Sequence, residues 1–247
     1  MRVRVSRVAE YRDTLRALSG SWEPYLREHS GLPGPRGNLE LVQAVAEEAP
    51  AERLRAYAEE EDEFLAACGT VGLGRLLAES DATAEAALHR LAGDRRWRVR
   101  EAAAMALQRL GDGDENRMLE IAERWAADPS LLVRRAAIAG ACEPRLLTRP
   151  ETVERVFGVL DVTTRALADC PPAQARSEPF RVLRQALAYC WSVAVAAAPE
   201  PGFDRFERWI ADEHRDVRWM LRKNLTKARM RKADPRRCLE LDRRLAS

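Results

Sequence analysis

The sequence contains few of the residues from which metal sites and disulfide frameworks are built. Its three histidines, His29, His89 and His214, are far apart, and none belongs to an HxxxH spacing. Its five cysteines are also well separated and include no CxxC pair. These spacings favour neither a zinc site nor a disulfide framework, so we expect no metal and no cofactor. No GxSxG motif is present, and nothing points to Ser–His–Asp or Cys–His catalysis.

Aromatic residues and long apolar runs are scarce as well. Aromatics make up 6% of the 247 residues, whereas Ala, Leu, Arg and Glu dominate, a composition typical of helices. The longest apolar run, residues 192–198, is too short to cross a bilayer. The N-terminus also lacks the apolar core of a signal peptide. We therefore expect a cytoplasmic protein with no membrane partner.

Net charge is small, because 41 Lys and Arg face 39 Asp and Glu. Any attraction to polyanions must therefore come from the way charge is distributed. The distribution is polarised: residues 39–63 carry nine acids against two arginines, whereas residues 215–237 carry ten basic residues against two acids. The second of these segments is the candidate for binding a polyanion.

A short motif recurs along the chain. In it, an acid is followed five residues later by an aliphatic residue. Arg follows the aliphatic residue in four of the five copies. The copies are Glu60 and Leu65, Asp94 and Val99, Asp128 and Val133, Glu178 and Leu183, and Asp212 and Val217. The first three acids are spaced by thirty-four residues, and so are the last two. Self-similarity at such a period indicates stacked helix pairs, each too small to bury its apolar stripe alone.

Each position of the motif has a predicted structural role. The acid should lie at a helix start, where free N–H groups favour it, and the aliphatic residue should face the core. The Arg, as in Arg100 and Arg134, should pair with the acid of the next repeat. A separate stretch, CGTVGLGR at residues 68–75, lacks the preceding strand of a dinucleotide-binding fold. We interpret its glycines as allowing two helices to approach closely.

The motif D-x-x-x-x-V-R-x-x-A on pairs of short helices resembles HEAT repeats. The resemblance covers most of the chain from Glu60 to about Lys232 and implies an all-α fold, a right-handed α-solenoid of HEAT-like helix pairs. We expect one continuous domain with an N-terminal helical cap and a Gly/Pro loop at residues 1–38, repeats at 39–232 and a capping helix at 233–247. The Gly/Pro stretch at residues 30–38 is interpreted as a connector, and its use as a binding loop stays open.

Two tryptophans stand among cations, Trp97 in RRWRVR and Trp219 in DVRWMLRK. Aromatic rings interleaved with cations suit a nucleic-acid surface, because rings contact bases or sugars while Arg holds phosphates. The alternative is that both indoles pack between helices.

A narrower resemblance is to the AlkD-type HEAT-like DNA glycosylases, which remove alkylated purines in a basic concave groove without flipping the base. Their site combines W-x-x-x-D, an Arg in a later repeat and W-x-x-R. Trp219 and Arg222 match the last element, Arg135 is similar to the middle one, and Trp97 and Glu101 have the spacing of the first. The resemblance implies that Glu101 is the catalytic residue and that the other four bind DNA. Glu101 stands where the family has Asp. The segment from Arg135 to Trp219 is also about one repeat longer than the family's pattern leads us to expect.

These observations predict a non-catalytic HEAT-repeat interaction module with a basic C-terminal face. Its partner would be duplex DNA or another nucleic acid, or an acidic protein, and its binding residues would include Lys223, Lys227 and Arg229. The alternative function is an AlkD-like glycosylase acting in DNA repair. A third reading is that the basic segment only caps the end of the solenoid and keeps it soluble.

Overall fold

The computed structural model describes residues 6–246, which form fifteen α-helices and two short 3₁₀ helices with no strand among them. The helices are α1 (Arg7–Ala17), α2 (Glu23–His29), α3 (Leu39–Glu48), α4 (Ala51–Ala58), α5 (Glu63–Ala78), α6 (Thr83–Ala92), α7 (Trp97–Gly113), α8 (Glu115–Ala126), α9 (Leu131–Ala141), α10 (Pro150–Ala168), α11 (Glu178–Ala197), α12 (Pro199–Arg208), α13 (Arg215–Leu225), α14 (Ala228–Ala233) and α15 (Pro235–Ala246). The predicted all-α class is confirmed. Residues 1–5 and 247, at the ends of the two predicted caps, lie outside the described residues.

The helices gather into two compact units, with the boundary between Gly113 and Asp114. The first unit contains α1 to α7 and the second contains α8 to α15. The single continuous domain and the segment boundaries expected from the sequence stay predictions.

In the first unit, α5 is the central helix and packs against α3, α4, α6 and α7. Its glycines make this packing possible. A Cβ at Gly69 would lie 2.6 Å from the carbonyl oxygen of Leu54 in α4, and a Cβ at Gly74 would collide with the carbonyl of Ala106 in α7. The glycines of the CGTVGLGR stretch therefore serve close helix packing, as predicted.

In the second unit, α11 is central and packs against α9, α10, α12, α13 and α14. Its Trp191 is fully buried between Phe157, whose ring centroid is 6.1 Å away, and Phe206 at 5.7 Å. The indole Nε1 of Trp191 donates a 3.0 Å hydrogen bond to the hydroxyl of Thr164, so its one polar group is satisfied inside the core.

The repeated acids lie at helix starts, as the motif predicts. Asp94, Asp128 and Asp212 each accept a hydrogen bond from the backbone N–H two residues later, at 2.7, 2.7 and 2.8 Å, just before α7, α9 and α13. All five aliphatic positions are buried: Leu65, Val99, Val133, Leu183 and Val217. The repeated acid thus marks the start of α7, α9 and α13, whereas Asp62 and Ser177 cap α5 and α11. Burial of the aliphatic residue fixes which side of each of these helices faces the core.

The Arg of the repeated motif has two structural uses. Arg100 donates to the carbonyl oxygens of Asp94 and Arg95 at 2.7 and 3.0 Å, so it satisfies the turn that precedes its own helix. Arg184 instead pairs with Asp216 in the first turn of α13. This ion pair links two repeats, but its carboxylate is not that of the repeated acid Asp212, which is the predicted partner.

Candidate nucleic-acid interface

The start of α7 holds two of the predicted site residues together. Trp97 is 51% exposed, and Glu101 lies one turn further along the same helix. Both line a pocket of about 480 Å³ whose other walls include Leu39, Phe64 and Met105. A pocket of this size with mostly apolar walls and a few charged lining groups is typical of small-ligand sites.

Arg98 holds this pocket in shape. Its guanidinium donates a 3.0 Å hydrogen bond to the carbonyl oxygen of Gly34 and pairs with Glu63 at 3.0 Å. Its Cζ also lies 4.5 Å from the centroid of the Trp97 ring. The Gly/Pro loop supplies one wall of the pocket through residues 35–37. Arg98 thus fixes this loop against α7 beside the exposed indole, and the use of the loop as a binding loop stays a prediction.

The arginines just before α7 have carboxylate partners. Arg95 pairs with Glu61 at 2.7 Å, and Arg96 pairs with Asp94 at 2.8 Å. The side-chain hydrogen bond from Arg96 holds the pKa of the Asp94 carboxyl below its ordinary value. Positive charge in this turn is thus neutralised within the first unit.

In the second unit, Trp219 on α13 is half-buried beneath a guanidinium. The Cζ of Arg184 lies 4.3 Å from the centroid of the indole, and the Nζ of Lys223 lies 5.7 Å from it. Because Asp216 anchors Arg184, the indole packs against a cation that an ion pair holds in place, while Lys223 stays exposed.

A second aromatic residue with two cations lies on α11. Tyr189 is 45% exposed, and its hydroxyl accepts a 2.7 Å hydrogen bond from Arg229. The Cζ of Arg229 is 4.6 Å from the ring centroid, and the Nζ of Lys227 is 5.7 Å from it. We call Tyr189, Trp219, Lys223, Lys227 and Arg229 the C-terminal cluster.

The three cations of the C-terminal cluster lack carboxylate partners among residues 6–246. Several other cations of the second unit do have carboxylate partners; for example, Arg155 binds Glu123 at 2.7 Å, and Arg237 binds Glu207 at 3.1 Å. Cations that contact aromatic rings and have no carboxylate partner are available to an external anion.

The two remaining predicted binding residues have structural contacts. Arg222 donates to the carbonyl oxygen of Leu245, as Arg218 does at 2.6 Å, so both cations satisfy the last turn of α15. Arg135 lies in α9 and is only 8% exposed. The first unit thus brings Trp97 and Glu101 together, and the second places Lys223 against Trp219.

Sequence reasoning missed Tyr189 and the contact of Arg184 with Trp219. The only local signal for Tyr189 is its place on the polar face of α11, four residues after the exposed Gln185. Its cations lie about forty residues away in the sequence, so the pairing depends on packing of α11 against α14. Among residues 6–246, no cluster of His, Cys, Asp or Glu is suited to a metal ion, and no helix has the length and apolarity to cross a membrane.

Comparison with solved structures shows the fold. AlkD2 from Streptococcus mutans has 13% sequence identity and a TM-score of 0.56, and the match covers 89% of this chain and 96% of that one. An engineered protein matches with 15% identity and a TM-score of 0.39 over 93% of this chain and 98% of its own. No protein-family model matches the sequence. No curated protein matches it either. The likeness to AlkD2 gives an all-α, HEAT-like solenoid fold.

Proposed function

We propose that this protein is a HEAT-like nucleic-acid-binding module and that the C-terminal cluster holds the phosphate backbone. The observation that carries the proposal is that Lys223, Lys227 and Arg229 contact aromatic rings and have no carboxylate partner among the described residues. Because the net charge is only +2, binding depends on this local group of cations and not on the whole molecule.

The chemistry favours nucleic acid over an acidic protein. Cations alone bind either partner, but aromatic rings among them add contacts to sugars and bases that an acidic protein does not offer. Tyr189 is 45% exposed, so its ring is accessible for such contacts. A segment that only caps the solenoid would need no exposed ring beside its cations.

The test is binding of a labelled DNA to the full chain, followed by fluorescence anisotropy over a series of salt concentrations. If three phosphates are neutralised, log K for a duplex should fall with log salt concentration with a slope of about −2.7. Poly-glutamate at equal charge concentration separates the two partners, since an acidic-protein site should bind it equally well. Absence of DNA binding at low salt overturns the proposal.

A second candidate function, an alkylpurine DNA glycosylase, is favoured by a separate observation. The exposed Trp97 and the carboxylate of Glu101 line one pocket in the first unit, at the spacing of the W-x-x-x-D element. A carboxylate there can stabilise positive charge on the sugar as a cationic base departs. The fold likeness to AlkD2 agrees with this candidate.

Release of methylated purines from alkylated duplex DNA tests the second candidate. Glu101→Gln should abolish the release, because the amide keeps the shape of the side chain and loses its charge. Glu40→Gln is the matched control, since Glu40 also lines the pocket but lies on α3. Equal release by wild type and Glu101→Gln would exclude Glu101 as the catalytic residue, and absence of release by wild type would exclude the activity.

A further inference from the structure

We infer that Tyr189 is a stacking site for an unpaired nucleobase, so that the C-terminal cluster prefers single-stranded nucleic acid to duplex. This inference rests on the proposed function and names the substrate class of the same surface. The juxtaposition that carries it is an exposed tyrosine ring, fixed by Arg229 and Lys227, at the end of an exposed polar face of α11.

The ring of Tyr189 is more exposed than most aromatic rings among residues 6–246. Only two aromatic residues occur among the strongly exposed large side chains of residues 6–246, Trp97 and Tyr189. The other tyrosines and tryptophans of this part of the chain are half-buried or buried. A large ring left 45% exposed beside two cations is a surface feature that packing of the unit does not require.

The ring is also held in place before any ligand arrives. Arg229 donates to its hydroxyl at 2.7 Å, and the guanidinium carbon lies 4.6 Å from the ring centroid. Lys227 comes from the same short segment at the start of α14, so both cations approach the ring from that segment. A fixed ring loses little conformational entropy when a base stacks on it.

The helix that carries Tyr189 offers matching polar groups. Arg181, Gln185 and Tyr189 are spaced by four residues along α11, and all three are exposed. Eight residues of helix span about 12 Å. The amide of Gln185 can donate to and accept from a base edge, and Arg181 can hold a phosphate next to it.

Stacking on a protein ring requires a base whose flat face is not covered by its neighbours. In a duplex those faces are buried in the stack, and exposing one costs a few kcal/mol. In a single strand they are accessible, and each base stacked on an aromatic side chain is worth ~1–3 kcal/mol. The cations contribute to both ligands through phosphates, whereas the ring contributes only to the single strand.

The experiment compares Tyr189→Leu and Tyr189→Phe with wild type on a single-stranded and a duplex DNA of equal length at one low salt concentration. Tyr189→Leu should weaken single-strand binding by about 5- to 150-fold and leave duplex binding nearly unchanged. Tyr189→Phe keeps the ring and should keep most of the single-strand affinity. Unchanged thermal midpoints confirm that each variant is folded.

Three outcomes overturn the inference and leave the proposed function standing. The first is equal weakening of both ligands by Tyr189→Leu, and the second is no weakening of either; in both cases phosphate binding by the cations, and so the proposed function, still stands. The third is a Tyr189→Phe variant as weak as Tyr189→Leu, which would assign the effect to the hydroxyl bond that positions Arg229. Absence of binding by wild type to both ligands overturns the inference together with the proposed function.

Discussion

The start of α7 and the α13–α14 region both place a tryptophan among cations, yet they use the cations differently. Before α7, Arg95 and Arg96 pair with carboxylates, and Trp97 stays exposed beside an apolar pocket. Around α13, the indole is half-buried under Arg184, which Asp216 anchors, whereas Lys223 beside the indole has no carboxylate partner among the described residues. The same sequence signal, Arg around Trp, therefore describes two different surfaces.

The difference teaches that function must be read from the partners of a cation and not from its presence. Paired cations hold helices in register, and their removal should affect stability. Unpaired cations beside aromatic rings should affect binding and leave stability unchanged. Each prediction below tests one side of this comparison.

The largest effect is expected for Lys223→Gln, Lys227→Gln and Arg229→Gln combined. Loss of three phosphate contacts should reduce DNA affinity on the order of 100-fold at ~0.1 M salt. The reason is that the three side chains no longer release counterions from the DNA phosphates on binding. The thermal midpoint should stay close to that of wild type, since no carboxylate is left without its partner. Anisotropy titration and thermal unfolding measure the two quantities on one sample, and a large fall in midpoint would contradict the assignment.

Gly74→Ala should destabilise the packing that positions α7. The new Cβ would collide with the backbone carbonyl of Ala106, and overpacking of this kind costs ~1–3 kcal/mol. Gly158→Ala in α10 is the matched control, because a Cβ there meets nothing within 4 Å. The control should raise the free energy of unfolding by ~0.5–1 kcal/mol, since Ala is the better helix former. Chemical denaturation measures both, and equal effects would contradict the packing of α5 against α7.

Arg98→Ala should loosen the pocket wall at the start of α7. The change removes the bond to Gly34 and the pair with Glu63, and we expect a loss of ~1–2 kcal/mol in the free energy of unfolding. The loop at residues 31–37 should become more sensitive to proteolysis, whereas DNA binding by the C-terminal cluster should not change. Arg95→Ala is the control, because its pair with Glu61 is highly exposed and should matter little.

The smallest effect concerns pH. Side-chain hydrogen bonds from Arg96 and Arg16 lower the pKa of Asp94 and Glu48 in the folded protein. A lowered folded pKa gives stability that is present above the unfolded value of about 4 and lost as pH falls through the folded value. The thermal midpoint should therefore fall as pH drops below about 4, and Asp94→Asn should make that fall shallower. An identical pH profile for the variant would contradict the contribution of Asp94.

Much of the fold could be predicted because its signals are local. An acid that accepts the N–H two residues later marks a helix start within one turn of sequence, as at Asp94 and Asp212. The buried aliphatic residue five positions after the acid follows from helical spacing. The glycines of α5 were predictable for the same reason, since small residues at helical spacing indicate close packing.

The candidate sites were less predictable because they depend on contacts between distant residues. Arg98 reaches Gly34 sixty-four residues away, and Arg229 reaches Tyr189 forty residues away. No spacing rule in a single sequence connects such residues. Arg222 has a local motif that matches a binding element, and its contact with the end of α15 is a long-range feature that the motif does not indicate; its binding role stays a prediction.

The most direct test of the account is the salt dependence of DNA binding by two charge-matched variants. One carries Lys223→Gln, Lys227→Gln and Arg229→Gln. The other carries Arg149→Gln, Arg155→Gln and Arg244→Gln, which remove the same charge from cations paired with Glu115, Glu123 and Glu207. The account predicts that the duplex slope of the first variant is shallower than that of wild type by about 2.7, while the slope of the second is unchanged. Equal slopes for the two variants would contradict it.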